Sequence, residues 1–286
     1  MAVSDSLRTL RIATWLGWQI EANWTSPLYF AIYSVITPIA ATLTLVVMYI
    51  IILGDVREEP ALFAHMYIGN AFFVYVGAVM RGLAQVIHND RERYRTLGQV
   101  YMSPVNFYVY VLGRTTAKIL IATISVIVTL VFGALFLGVE MSLGSIEWVM
   151  LIPGLLLGLL TVAMMGVALG GVSFLTAHHR AGLNEGVSAV LYLFCAVVYP
   201  LSVLPEWGRA IGMAIPITYW LELLRRSLVP HLDMASVSGL GEYSGPEILG
   251  LLALSTAGFL VLSMVIFHVA DVLARRWGRL DMITSY

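Results

Sequence analysis

The sequence predicts an all-α integral membrane protein with six transmembrane helices and both termini in the cytoplasm. Of its 286 residues, 59% are hydrophobic and only 12% are charged, and the mean hydropathy of +0.87 is far above the soluble norm. Six mostly apolar stretches are long enough to cross a bilayer, which takes roughly 20 residues. Most basic residues fall on one side of these stretches, which sets the orientation. The formal net charge of −1 gives no sign of a nucleic-acid partner.

The first 27 residues predict a helix that lies in the plane of the cytoplasmic membrane interface. Ser4 or Asp5 can cap its start. Trp15 and Trp18 stand near basic residues, a pattern typical of interfacial helices. The N-terminus lacks a short apolar run followed by a small-residue cleavage site, so we expect no removable signal peptide.

Six predicted spans follow, and they cover residues 28–54, 61–87, 108–138, 148–176, 186–204 and 246–273. Pro38 lies within the first span, where membrane helices tolerate a proline and kink at it. In the fourth span two glycine pairs are spaced four residues apart, Gly154 with Gly158 and Gly166 with Gly170. Small residues at this spacing let membrane helices approach closely, either within one chain or at a dimer seam.

The basic residues are divided unequally between the two sides of the membrane, which predicts the topology. One side holds twelve of the sixteen, namely Arg8, Arg11, Arg81, Arg91, Arg93, Arg95, Arg114, Lys118, Arg180, Arg275, Arg276 and Arg279. The other side holds Arg57, Arg209, Arg225 and Arg226. Both termini and loop 88–104 are therefore predicted to be cytoplasmic, and residues 205–245 to lie outside.

Residues 205–245 are long for a loop and partly apolar, and they predict a short helical hairpin between spans five and six. In "PITYWLELLRRSLVP", Pro216 suits a helix start, and apolar residues recur at helical spacing at Ile217, Trp220, Leu221, Leu224 and Leu228. Glu222 and Arg226 are four apart and can pair. The preceding "LPEWGRAIGMAI" predicts a second short segment. The hairpin either lies in or dips into the outer interface, or is an ordinary amphipathic surface helix.

The stretch "HNDRERYRTLGQVYMSPV" concentrates charge in an otherwise apolar chain. A helix is predicted over Asp90–Met102, and Pro104 ends it because a proline disfavours helical geometry in the residue before it. The apolar face of this helix consists of Tyr94, Leu97 and Tyr101. Two interpretations stay open, a solvated basic loop and a short helix that docks into a groove of a cytoplasmic partner.

Three polar residues, His178, His179 and Arg180, lie in the predicted cytoplasmic loop between spans four and five. Adjacent histidines are poorly placed to bind one metal ion. We therefore expect no metal site here and interpret the group as a second partner contact or a solvated loop.

His65 and Asn70 are polar within the apolar second span, with Phe73 and Tyr75 nearby. Polar groups at membrane depth usually face a partner or a cavity. They are candidates for a transport pathway, although a structural hydrogen bond explains His65 and Asn70 equally well.

Two motifs resemble the permeases of ABC exporters of the polysaccharide and drug export class (ABC-2 type). The family pattern Glu-x-x-x-Thr-Leu followed by Ser/Thr-Pro is matched by Glu92, Thr96, Leu97, Ser103 and Pro104, although Arg95 stands where the family often has glycine. In the outer segment the match is carried by Leu204, Pro205, Trp207, Pro216, Thr218, Glu222 and Arg225. The resemblance extends over essentially the whole chain.

The resemblance implies that two permeases form a membrane pathway above two ATPase subunits. The second permease is expected to be a further copy of this chain, and a different chain stays an open alternative. Loop 88–104 would hold the coupling helix that sits in the ATPase, with Asp90, Glu92, Tyr94, Thr96, Leu97, Tyr101, Ser103 and Pro104 as coupling residues. The chain has no G-x-x-x-x-G-K-[ST] motif for binding phosphates. It would therefore be a transport subunit without an enzyme site or a cofactor, and ATP and Mg would bind to the partner ATPase.

The implied function is export of an amphipathic or lipid-linked substrate, of the drug, lipid or glycan class, across a prokaryotic plasma membrane. Membrane lipid is then a further partner. Two alternatives stay open. An ion-coupled transporter or channel commonly places ionisable residues at the midplane, and a membrane-embedded enzyme needs clustered acids, histidines or serines at that depth. The predicted spans are poor in charge, which disfavours both.

Overall fold

The computed structural model describes residues 3–22, 26–88, 90, 97–175 and 180–276, and this part of the chain is helical without strands. The helices are α1 Val3–Ala22, α2 Pro27–Leu53, α3 Pro60–His88, α4 Leu97–Met102, α5 Phe107–Phe136, α6 Trp148–Leu175, α7 Arg180–Phe194, α8 Glu206–Ala214, α9 Pro216–Leu228, α10 Met234–Ser238 and α11 Gly245–Arg276. A short 3-10 helix, Leu201–Val203, lies between α7 and α8.

Within the described residues, five helices are long and apolar enough to cross a membrane. They are Leu28–Leu53, Pro60–Met80, Val109–Phe136, Trp148–Val172 and Gly245–Ala270. These segments correspond to predicted spans one to four and six, which confirms that the described residues are all-helical and include several helices able to span a membrane. Length alone explains the agreement, because an apolar run that matches the bilayer must form a helix to satisfy its backbone groups.

The structure differs from the sequence prediction at the fifth span, predicted over residues 186–204. α7 ends at Phe194, and residues 195–200 form turns and bends. Ala196 adopts a left-handed backbone with φ 53°, a conformation that commonly terminates helices but usually at glycine. Because an alanine takes this role, the sequence carries no signal for the break. The apolar helical segment in this region, Glu185–Phe194, is too short to count among the five.

α3 is the central helix of the bundle. In the most apolar stretch of α3, 72% of the residues are buried, whereas only 22% are buried in the corresponding stretches of α2, α5 and α11. α3 packs against α5, α6 and α9, while α6 and α11 form the most extensive helix pair. The apolar faces of α2, α5 and α11 are largely exposed, as expected of helices that face lipid or another membrane chain.

α1 packs along α5 through small residues. A Cβ atom built on Gly113 would lie 2.6 Å from the Ala13 Cβ, and one built on Gly17 would lie 2.8 Å from the Ala117 Cβ. These distances require the two helices to cross in direct contact. The N-terminal helix predicted from the sequence is therefore present, and its position in the membrane plane stays a prediction.

Candidate functional site

A cavity of about 1070 Å³ lies between α2, α3, α5 and α7. Its aromatic lining consists of Phe30, Tyr33, Phe73, Tyr192 and Tyr199. Its polar lining includes Ser34, Thr37, Asn70, Ser125 and Ser188. A cavity with rings and a few convergent hydroxyl and amide groups is the usual form of a small-molecule site.

The polar groups of the cavity connect its walls. Tyr192 donates its hydroxyl to Asn70 Oδ1 at 3.4 Å, and the Phe73 ring meets the Tyr192 ring edge-on at 5.0 Å between centroids. Ser188 Oγ is buried and has no hydrogen-bond partner among the described residues. Asn70 on α3 also donates to Thr42 on α2 at 3.5 Å. The cavity can thus accept both ring faces and hydrogen-bonding groups.

Charge is nearly absent from the described cavity lining. Glu21 is its only charged residue, and this carboxylate is paired with Lys118 of α5. An ion pair at one end presents little net field to a bound molecule. The lining therefore suits a neutral or amphipathic molecule better than a strongly charged one.

The structure brings two of the four predicted pathway residues to this cavity, Asn70 and Phe73. Tyr75 instead donates to Thr123 Oγ1 at 2.8 Å and packs against the Trp220 ring. His65 is fully buried, and its Nε2 lies 3.4 Å from the Tyr199 carbonyl oxygen. Tyr75 and His65 thus make structural contacts beside the cavity, not in its wall.

Several cavity residues were not predicted from the sequence, namely Thr37, Ser188 and Tyr192. The sequence does contain a pattern that indicates these cavity residues. Tyr33 and Thr37 are four residues apart on α2, and Ser188 and Tyr192 are four residues apart on α7. Such pairs share one helix face. Hydroxyl groups repeating at that spacing in an apolar helix are the pattern to search for.

The helix predicted over Asp90–Met102 is present from Leu97 onward, as α4, and its coupling role stays a prediction. Glu92, Tyr94 and Thr96 lie outside the described residues, as do the side chains of Leu97 and Tyr101. Ser103 donates its hydroxyl to the Val100 carbonyl at 2.8 Å, which closes the last turn. The helix ends at Met102, as the Ser103-Pro104 pair predicts.

Asp90 fastens the start of the coupling loop to α5. It is 1% exposed, and its Oδ1 lies 3.2 Å from Arg114 Nη1 while its Oδ2 accepts from the Tyr110 hydroxyl at 2.8 Å. Burial raises the pKa of the Asp90 carboxyl, and Arg114 and Tyr110 oppose that rise. Protonation will therefore weaken this ion pair at a higher pH than for an exposed aspartate. In the sequence Asp90 is the first residue of the predicted helix Asp90–Met102, and nothing local indicates a partner 24 residues away.

The second predicted partner contact consists of His178, His179 and Arg180. His178 and His179 lie outside the described residues, as does the side chain of Arg180, whose backbone begins α7. Their interpretation as a second partner contact stays a prediction.

The helical hairpin predicted in residues 205–245 is present as α8 and α9. α8 follows Pro205. Its Trp207 is 64% exposed, and the centroids of the Trp207 and Phe194 rings are 5.9 Å apart. α9 begins at the buried Pro216 and is buried on nearly all of its faces. It packs against α3, α6 and α11. This burial rules out an ordinary amphipathic surface helix for α9. Whether the hairpin lies in the outer membrane interface or dips into it stays a prediction.

α9 reaches the interior of the bundle because α6 leaves room for it. A Cβ on Gly154 would lie 2.6 Å from Leu223 Cδ2, and a Cβ on Gly158 would collide with the Trp220 indole. Gly158 lies 10 residues into α6, about 15 Å along its axis at 1.5 Å per residue. This glycine pair therefore serves packing within the chain.

α9 carries a buried charge cluster. The predicted pair of Glu222 with Arg226 is present, with Oε1 2.6 Å from Nε. Glu222 Oε2 also lies 4.0 Å from Arg225 Nη1, and both residues are 1% exposed. Arg226 further donates to the carbonyl oxygens of Tyr243 and Leu240 at 2.7 and 2.9 Å. Buried charges need such partners, and the cluster fixes α9 to the loop before α11.

The described part of the chain is thus a bundle with five helices able to cross a membrane, a cavity between α2, α3, α5 and α7, a short helix between its second and third spans, and a buried α9. Residues 10–229 match the family model of the ABC-2 type transporter, and the chain belongs to this family. It is similar to the "Putative transport permease YvfS" of Bacillus subtilis (strain 168), with 23% identity over 192 residues that cover 66% of this chain and 74% of that protein.

Proposed function

We propose that this chain is the membrane subunit of an exporter driven by ATP. Membership of the ABC-2 family makes it the membrane subunit of an ABC transporter, a transport subunit that is not itself an ATPase and that works with an ATP-binding subunit. The proposed substrate is amphipathic or lipid-linked, of the drug, lipid or glycan class, and leaves the cytoplasm or the inner leaflet of a prokaryotic plasma membrane. Family membership argues against the ion-coupled transporter, channel and enzyme alternatives.

The observation that carries the substrate class is the lining of the cavity. Its rings offer apolar faces for stacking or dispersion contacts, and Ser188 and Asn70 offer hydrogen-bonding groups. Its one carboxylate is already paired. A molecule with an apolar body and neutral polar groups matches this lining.

The proposed complex contains two permeases, the second a further copy of this chain, and two ATPase subunits that bind ATP and Mg. In this proposal the chain has six spans with both termini inside. α7 is 15 residues long, about 22 Å at 1.5 Å per residue, which is less than the roughly 30 Å of a hydrocarbon core. The segment 195–204 would complete the fifth crossing.

The test is substrate-stimulated ATP hydrolysis by the permease reconstituted with its ATPase in proteoliposomes. Amphipathic dyes and lipid-linked glycans should raise the rate. Phe73→Ala and Tyr192→Ala should raise the concentration for half-maximal stimulation about tenfold, the equivalent of about 1.4 kcal/mol of lost ring contact.

The matched control is Phe136→Ala. Phe136 is the last residue of α5, its ring stacks on the Phe132 ring, and it is 72% exposed. Its loss should therefore leave stimulation unchanged. If Phe73→Ala behaves like Phe136→Ala, the cavity does not bind the substrate. If no amphipathic compound stimulates hydrolysis, the proposed substrate class is wrong.

A further inference from the structure

The chain leaves helical geometry inside the protein after α7. Residues 195–200 form turns and bends, and Ala196 has the left-handed φ of 53°. Cys195, Ala196 and Val197 are nevertheless buried, at 3% exposure or less. Buried carbonyl groups that have left a helix need partners from elsewhere in the protein.

Arg225 of α9 supplies these partners. Its Nη2 donates to the carbonyl oxygens of Ala196 at 2.8 Å and Val197 at 3.0 Å. Its Nε donates to the His65 carbonyl of α3 at 3.0 Å. One planar guanidinium therefore joins α9 to α3 and to the segment after α7, a geometry that the point charge of lysine does not reproduce. We call these residues, together with Gly69, the Arg225 junction.

Gly69 provides the space for this junction. A Cβ at residue 69 would collide with both Arg225 Nη2 and the Val197 carbonyl oxygen. Arg225 is also held by the Glu222 carboxylate, 4.0 Å from its Nη1. Moving the guanidinium away from these carbonyls would leave a buried charge without its partners, which is strongly unfavourable.

The Arg225 junction borders the cavity. Asn70, the residue after Gly69, lines the cavity on α3, and Tyr199, within the segment after α7, also lines it. His65 Nε2 lies 3.4 Å from the Tyr199 carbonyl oxygen. Separating α3 from the segment after α7 would break the hydrogen bonds that Arg225 makes to both of them.

We propose that Arg225 is a positioning residue for transport. It holds residues 195–200 against α3, sets Tyr199 in the cavity wall and keeps the cavity closed on the side of the hairpin. Passage of a substrate to that side requires the Arg225 junction to open. This inference rests on the proposed function, which makes the cavity the substrate site and the hairpin side the outside.

The test labels a cysteine placed in the cavity with a membrane-impermeant maleimide added outside sealed right-side-out vesicles that hold the permease with its ATPase, without ATP. The reporter is Ser188→Cys in a Cys195→Ala background, which removes the native thiol. Labelling should be slow with Arg225 intact. Arg225→Met should accelerate it by about tenfold or more, as expected from the loss of a hydrogen bond to a charged group, and Arg225→Lys should restore part of the protection.

Arg209→Met is the matched control. Arg209 is an exposed arginine of the same hairpin that donates to the Ser202 carbonyl at 3.2 Å, and its loss should leave labelling slow. Gly69→Ala is the second variant, because it displaces the guanidinium without removing its charge. It should accelerate labelling as Arg225→Met does, and it decides the outcome if Arg225→Met does not assemble.

Slow labelling in Arg225→Met or Gly69→Ala, in complexes that retain the ATPase, overturns the proposal. Failure of the proposed function has a separate readout. Ser202→Cys, exposed on the hairpin side, must be labelled in the same vesicles, and the wild-type permease must retain its ATPase. If either fails, the topology or the assembly is wrong, not the role of Arg225.

Discussion

Gly158 and Trp220 show how a single missing side chain places a helix. The indole occupies the space that a Cβ at residue 158 would need, so α6 and α9 approach only because this residue is glycine. The spacing of Gly154 and Gly158 predicted close packing from the sequence. The spacing did not predict that α9 is the helix that packs against these glycines, because α9 begins 58 residues later, at Pro216.

Gly158→Ala should lower the stability of the chain by about 1–3 kcal/mol, the usual cost of forcing extra volume into a packed core. The measurement is thermal unfolding in detergent. Gly258→Ala on α11 is the control, because nothing lies within 4 Å of a Cβ at that residue. It should leave the unfolding temperature unchanged or slightly higher, since alanine favours helix over glycine. Equal behaviour of the two variants would contradict the packing interpretation.

Polar residues divide into those that the sequence explains and those that it does not. Asn70 and Phe73 were predicted at a pathway and line the cavity. His65 was predicted with them, but its backbone carbonyl and ring bond to Arg225 and Tyr199 instead. A polar residue in an apolar span indicates that a hydrogen-bond partner exists. The sequence around His65 does not show which residue that partner is, because its partners lie more than a hundred residues away in the chain.

At the scale of elements, the spans were predictable and the break in α7 was not. Predicted span 28–54 differs from α2, Pro27–Leu53, by one residue at each end, and predicted span 148–176 begins with α6, Trp148–Leu175, and ends one residue after it. Apolar length decides such helices. The carbonyl groups freed by the break after Phe194 accept hydrogen bonds from Arg225, which lies about 30 residues later on another helix. A prediction from a short stretch of sequence cannot include both the break and this arginine.

The Asp90 ion pair should matter more than the other ion pair of α5. Asp90→Asn or Arg114→Gln breaks a pair whose side chains are 2–3% exposed, and should cost about 3–5 kcal/mol. Lys118→Gln breaks the pair with Glu21, at 18% and 31% exposure, and should cost about 0–1 kcal/mol. Thermal unfolding of the three variants measures the difference. A smaller loss for Asp90→Asn than for Lys118→Gln would show that the junction at the start of the coupling loop is dispensable.

The coupling helix should transmit the energy of ATP through its apolar face. Leu97→Ala combined with Tyr101→Ala should weaken ATPase binding or uncouple transport, because truncating a buried interface anchor typically costs about 2 kcal/mol or more. The chain should still insert, since the spans are untouched. The measurements are co-purification of the ATPase and transport activity.

Arg93→Ala is the control for this pair, since charges at the rim of an interface mainly change encounter rate and salt dependence. If the double variant keeps both activities at the wild-type level, the docking interpretation is wrong and the loop is a solvated basic segment.

At the scale of the whole molecule, the proposed membrane topology rests on the distribution of basic residues along the chain, and not on contacts between helices. Twelve of sixteen basic residues fall on the side of the termini, so cysteines at positions 92 and 180 should be protected from an impermeant reagent outside sealed right-side-out vesicles. A cysteine replacing the exposed Glu140, in the α5–α6 loop, should react. Labelling at position 92 or 180 from outside would reverse the proposed orientation.

Assembly is the remaining property of the whole molecule. α2, α5 and α11 expose apolar faces, and a family member of this kind works with an ATP-binding subunit. A pathway between two permeases requires two copies, and each coupling helix requires its own ATPase groove. Native mass spectrometry of the gently solubilised complex should therefore give two permeases and two ATPases. The coupling-helix variant Leu97→Ala with Tyr101→Ala should lose ATPases while the permeases stay paired, because it leaves the membrane helices unchanged. A single permease that transports without a second copy would contradict the shared pathway.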